Sequence, residues 1–318
     1  MTTPGSTLGD IEGFQYVAVT VASRSKLETL QNDGLSDLLP WSAFIFSVCA
    51  IWIVGTCYLS ERVLFDAVYR DTYRKLVDVA RVDGHDRRRR SFVYHHVAFA
   101  FKMLLLCVLA YPTLRLICPG PAGFHTPLGT GVRMGVGVGE AEHRPTIGDI
   151  LLVGSQLYCA YYTWELCYRA GLASYISILH HVVLLIIAQL GMALSARPEA
   201  HRDATIEFYM CLIWGVFDLV AELPVHLALI LYRALPESRC RMVSQLLFFC
   251  SGWCLCCTVA EMSISAYLLR RSWGLWEPSF QVATPVVLVV WGTAQCIGSW
   301  QIFGLAMVGW RKVAKRGL

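Results

Sequence analysis

The chain has 318 residues, 56% of them hydrophobic and only 16% charged, with a mean hydropathy of +0.51. A soluble domain carries about 25% charged residues, so this composition excludes a soluble enzyme, a disordered chain and a secreted disulfide scaffold. It points to an all-α membrane protein with several spans, and the net charge of +4 gives no reason to expect a nucleic-acid partner.

Residues 1–40 read as a polar N-terminal tail. They have no basic n-region and no early apolar core, so no cleavable signal peptide is expected and the first span would serve as the targeting signal. A span needs about 20 mostly apolar residues. Seven segments qualify, at roughly 41–59, 91–117, 147–168, 174–195, 205–232, 243–269 and 281–308. The domain organisation is therefore the tail, one N-terminal helix at 41–59, a loop at 60–90, a membrane domain at 91–308 and a basic tail at 309–318.

The loops differ in character. The 60–90 loop holds nine basic residues, including the run Arg87 to Arg90. Within it, residues 61–82 place Leu64, Val68, Leu76 and Val79 apart from Arg70, Arg74 and Arg81, the pattern of an amphipathic helix lying on a leaflet. Residues 118–146 are rich in Gly and Pro and read as a flexible loop. With the 60–90 loop in the cytosol, 17 of the 27 basic residues fall on that side. Positive charge is retained on the cytosolic side, so the expected orientation is N-terminus outside or lumenal and C-terminus cytosolic.

Thirteen cysteines do not make a disulfide framework, because most of them lie inside the apolar runs. Cys254, Cys256 and Cys257 lack a neighbouring His or a second Cys pair, so no metal site is expected.

Ionisable groups at membrane depth are costly, about 2.5–3.5 kcal/mol on insertion scales, and so they face the bundle interior. At about 1.5 Å of rise per residue, His95 and His96 lie about 6–8 Å from the cytosolic end of their span, and His180 and His181 about 9–11 Å. Glu165 is near the cytosolic end of the third span. In the fifth, Asp218, Glu222 and His226 are spaced i, i+4, i+8 and form one stripe. A His with a carboxylate partner can act as nucleophile or general base; the same groups can recognise a lipid head or simply bond one helix to another. The rings of His180 and His181 diverge by about 100° around the helix, so one is expected to orient or pack. Pro224 frees the carbonyl of Val220 beside Glu222, which predicts a local kink. Tyr158, Tyr161, Tyr162 and Trp164 read as packing or interface residues.

Trp164-Glu165-Leu166, Ile178-Leu179-His180-His181 and Phe217-Asp218 with Glu222, in that order and preceded by Ser91 to His96, resemble the TLC-domain family over about residues 85–312. The resemblance implies a six-helix core with a lipid-accessible cavity, preceded here by one extra span. The family's ceramide synthases move an acyl group from acyl-CoA to a sphingoid amine through the paired His, while other members are linked to lipid composition, sensing or transport. This chain has Leu184 where the synthases have Thr, and Trp214-Gly215 where they have His-Asp. It is therefore similar to a divergent member rather than to a ceramide synthase.

The expected function is to bind, sense or move membrane lipid. The alternative is an acyl-CoA-dependent lipid acyltransferase. His180, His181 and Asp218 are the catalytic candidates; His95, His96, Glu165, Glu222 and His226 are the lipid-binding candidates. No cofactor is expected, apart from acyl-CoA as co-substrate in the alternative. A retinal protein is excluded because 281–308 contains no Lys. The ending Lys315-Arg316-Gly317-Leu318 is similar to a dibasic retrieval signal and points to the endoplasmic reticulum.

Overall fold

The computed structural model describes residues 35–63, 67–71, 87–117, 146–169, 175–196 and 204–316. The tail before residue 35, most of the expected amphipathic loop helix and nearly all of the Gly-rich loop lie outside the described residues.

Seven α-helices carry the described chain: α1 Ser42–Val63, α2 Arg87–Ile117, α3 Ile147–Tyr168, α4 Tyr175–Leu194, α5 Ala204–Ala234, α6 Cys240–Ser272 and α7 Pro278–Arg316. They follow the seven predicted spans to within a few residues at most ends. The largest departure is at the C-terminus, where α7 continues without a break through the basic segment expected to be a separate tail. Six helices are both long enough and apolar enough to cross a membrane. The exception is α3, and its position explains why: 14 of its 22 residues are buried by other helices, so Tyr, Trp and Gln side chains replace the aliphatic ones that a lipid-facing helix needs.

Helices α2, α3, α4, α7, α6 and α5 contact one another in that cyclic order and close a ring, with α5 also touching α4 across it. Helix α1 stands outside, packed mainly on α3. Its sequence is apolar all round and only Ile53 and Cys57 are buried. Outward faces elsewhere carry large apolar side chains such as Ile186, Phe249, Val289 and Trp300. Apolar exposure on this scale has no place on a soluble monomer, and with the helix lengths it fits an integral membrane protein.

Two local features fix the register of the ring. Thr146 and Asp149 cap α3 reciprocally: the Asp149 N–H donates to Thr146 Oγ1 at 3.1 Å and the Thr146 N–H to Asp149 Oδ2 at 2.8 Å. Ser36 Oγ donates to the other carboxylate oxygen, tethering the segment before α1 to the start of α3. Gly154 allows α2 and α3 to approach closely, since a Cβ there would lie 2.5 Å from Leu109 Cδ2.

The expectation at Pro224 has a specific outcome. Helix α5 runs through it from Ala204 to Ala234, and the carbonyl of Val220 that Pro224 leaves open accepts a bond from Trp253 Nε1 on α6 at 3.1 Å. The neighbouring Ala221 carbonyl accepts from Cys254 Sγ.

Candidate functional site

The ring encloses a cavity of about 480 Å³. Helix α5 lines it with the predicted stripe Asp218, Glu222 and His226; α2 adds His95, and α4 adds His180 and His181. Glu165 stands behind this lining and reaches it through His181 and Arg169.

Three polar clusters organise the walls. The first centres on Lys102 of α2, which is fully buried. Its Nζ lies 2.7 Å from Glu222 Oε2, 3.4 Å from Asp218 Oδ2 and 2.9 Å from the Tyr162 hydroxyl. Tyr162 in turn donates to Asp218 Oδ2, and the Tyr158 hydroxyl approaches the same oxygen at 3.5 Å. A lone cation here would be prohibitively desolvated; two carboxylates and a hydroxyl supply the partners it needs. Glu222 keeps 36% of its side chain open, so it is the carboxylate of this cluster that a ligand can reach.

The second cluster is a histidine pair. His95 Nδ1 and His226 Nδ1 are 3.0 Å apart, and His226 Nε2 is 3.5 Å from Glu222 Oε2. Two ring nitrogens at this distance share one proton between them, one donating and the other accepting. The order Asp218, Lys102, Glu222, His226, His95 is thus continuous from the middle of α5 toward the N-terminal end of α2.

The third cluster centres on Glu165 of α3. Its Oε1 accepts from the Tyr94 hydroxyl at 2.7 Å and from Arg169 Nη1 at 2.6 Å, and His181 Nε2 stands 3.5 Å away. The Arg169 guanidinium also lies over the Tyr94 ring, 4.6 Å from its centroid. One carboxylate therefore joins α2, α3 and α4.

His180 and His181 play different parts, as the divergence of adjacent helical side chains requires. His181 faces Glu165. The His180 ring packs on the Trp291 ring of α7 with centroids 3.6 Å apart. Trp291 Nε1 donates to Glu261 Oε1 at 2.9 Å, and Gln295 Nε2 donates to Glu261 Oε2 at 2.7 Å. The Nδ1 atoms of both His180 and His181 are buried without a hydrogen-bond partner among the described residues.

His96 does not belong to the cavity. Its Nδ1 bonds the Phe92 carbonyl at 2.9 Å and its Nε2 the Tyr69 hydroxyl at 3.2 Å, outside the ring. Tyr158 and Tyr162 also depart from expectation, because their hydroxyls serve Asp218 rather than only packing. Lys102, Tyr94, Arg169 and Glu261 are not among the site candidates read from the sequence. Lys102 carried one available signal: it lies seven residues after His95, two turns along the same face of α2. Among the described residues, no group of three or more His, Cys, Asp or Glu is arranged to hold a metal ion.

A His–carboxylate pair beside such a cavity can orient a ring and stabilise its charged form. No family model, no curated protein and no solved structure matches this chain. The resemblance to TLC-domain proteins rests on the residues quoted above.

Proposed function

We propose that the chain is a divergent TLC-type membrane protein that binds, senses or moves a membrane lipid and thereby affects lipid composition. The observation that carries this reading is the cavity: about 480 Å³ inside a ring of membrane-length helices, lined by four histidines and by Asp218 and Glu222. Pockets of this size, with a few converging polar groups in an otherwise apolar wall, suit one lipid head and the upper part of its chains. Intramembrane ionisable groups that cluster rather than scatter indicate a ligand path.

The orientation that goes with this function places the N-terminus in the lumen, the C-terminus in the cytosol and the protein in the endoplasmic reticulum. The charge bias of the loops and the dibasic ending support it. Changing Lys315 and Arg316 to Ser is expected to release a tagged copy from the reticulum.

A second reading is acyl transfer from acyl-CoA to a sphingoid-type amine. It is favoured by one observation, the His181–Glu165 pair with the far nitrogen of His181 unpartnered. The lipid amine would lose its proton to His181 as its nitrogen bonds the thioester carbonyl carbon, and the C–S bond would break with His181 returning that proton to the departing CoA sulfur.

The experiment is lipid mass spectrometry of the purified chain. A lipid enriched over the bulk membrane, and depleted in Glu222→Gln and His181→Ala, is expected. The same lipid profile in wild type and in both variants would sink the binding reading. Incubation with acyl-CoA and sphingoid bases separates the second reading: no acylated product, with lipid still bound, rejects it.

A further inference from the structure

A second cavity of about 700 Å³ lies between α1, α3 and α4, away from the histidines. Its walls are apolar at Phe46, Leu185 and Met192, and its polar groups include Ser42, Gln156 and Gln189; no lining residue carries a charge. The contrast with the first cavity is chemical, since that one is lined by Asp218, Glu222, Arg169 and four histidines.

Gln156 is the central feature. It is 1% exposed and lies about 14 Å along α3, near its midpoint, where an unpaired buried amide is expensive. Gln189 Nε2 donates to its Oε1 at 3.1 Å. Gln156 Nε2 donates to Ser42 Oγ and approaches Met192 Sδ at 3.4 Å. Two amides offer four donor hydrogens and two carbonyl oxygens. These bonds use three donors, Gln189 also donates to the Cys159 sulfur, and what remains open is acceptor capacity on the amide oxygens. Gln156 itself is sealed between the helices, while Gln189 is only half-buried and carries the amide pair to the open volume.

We infer that this cavity is a second lipid site, which takes a membrane lipid whose head is uncharged and bears a hydroxyl or an amide. A hydroxyl or amide N–H can donate to the acceptor capacity left on the amide oxygens. A phosphate or ammonium head would meet no counter-charge and would forfeit its hydration. Entry is lateral, because Ala43 and Ser47 on α1 line the cavity and are exposed on its outer side.

The test uses the purified full chain in lipid nanodiscs and a diacylglycerol carrying a diazirine and an alkyne tag. Saturable crosslinks are expected on the α1 segment around Ser42 and Ser47 and on α3 around Gln156. Gln156→Leu should reduce them about fivefold, the effect of losing one or two buried hydrogen bonds. Ala43→Trp, which fills the volume and leaves every amide bond in place, should do the same. His181→Ala should leave them unchanged, which separates this site from the first cavity. Competition by unlabelled diacylglycerol supports the site with that lipid as the source of the hydroxyl, and competition by a sterol supports it with a sterol. Labelling that does not saturate, that survives both cavity variants, or that only anionic phosphatidylglycerol displaces would overturn it.

Discussion

Lys102 Nζ and Glu222 Oε2 stand 2.7 Å apart between α2 and α5, with the lysine wholly removed from solvent. The pair holds together the helices that carry His95 and His226. Lys102→Met leaves Asp218 and Glu222 facing each other without a cation. Removing one partner of a buried ion pair costs about 3–5 kcal/mol, so a large fall in the midpoint of thermal unfolding in detergent is expected. Adding Asp218→Asn and Glu222→Gln should restore most of it, because the stranded charge is then gone. A single Lys102→Met variant as stable as wild type would contradict this account of the cluster.

The tyrosines of α3 allow a paired comparison. The Tyr162 hydroxyl accepts from Lys102 and donates to Asp218. The Tyr161 hydroxyl is buried and, among the described residues, has only a weak contact with the Tyr94 hydroxyl. Tyr162→Phe strips a buried carboxylate of a donor and should cost about 1–3 kcal/mol. Tyr161→Phe removes no more than that weak contact, and unfolding measurements should show it neutral or slightly stabilising.

The helices were legible in the sequence because lipid imposes one rule along the whole length of a span, and hydropathy reports that rule directly. The stripe Asp218, Glu222, His226 was legible for a similar reason, since spacing on one helix fixes which residues share a face. Partners on different helices have no such ruler. Lys102 and Glu222 are 120 positions apart, and only the closing of the ring brings them together. Glu261 was hidden in the same way, because its donors Trp291 and Gln295 come from the next helix. His96 shows the converse: adjacent in sequence to His95, it points to Tyr69 because one step along a helix turns the side chain about 100°.

That divergence at His95 and His96 can be tested by lipid content. His95 lines the first cavity and shares a proton with His226, so His95→Ala should lower the lipid that co-purifies roughly fivefold. His96→Ala should change it by less than about twofold, since its bonds lie outside the cavity. Equal losses from the two variants, with both still folded, would mean that the cavity is not where the lipid sits.

The bond from Trp253 to the Val220 carbonyl makes the last case. Pro224 cannot donate to that carbonyl, and hydrocarbon offers no water to replace the missing donor. Trp253→Phe keeps most of the ring contact and removes the indole N–H, so it should cost about 1–3 kcal/mol. In a Pro224→Ala background the residue at 224 regains its N–H and can close the ordinary helical bond to Val220. There the same Trp253→Phe change should cost at least about 1 kcal/mol less, a coupling readable from a double-mutant cycle of unfolding free energies. The packing change from indole to phenyl is common to both backgrounds and cancels. If Trp253→Phe costs the same in each, the tryptophan is only lipid-facing bulk, and the open carbonyl beside Glu222 must find its partner elsewhere.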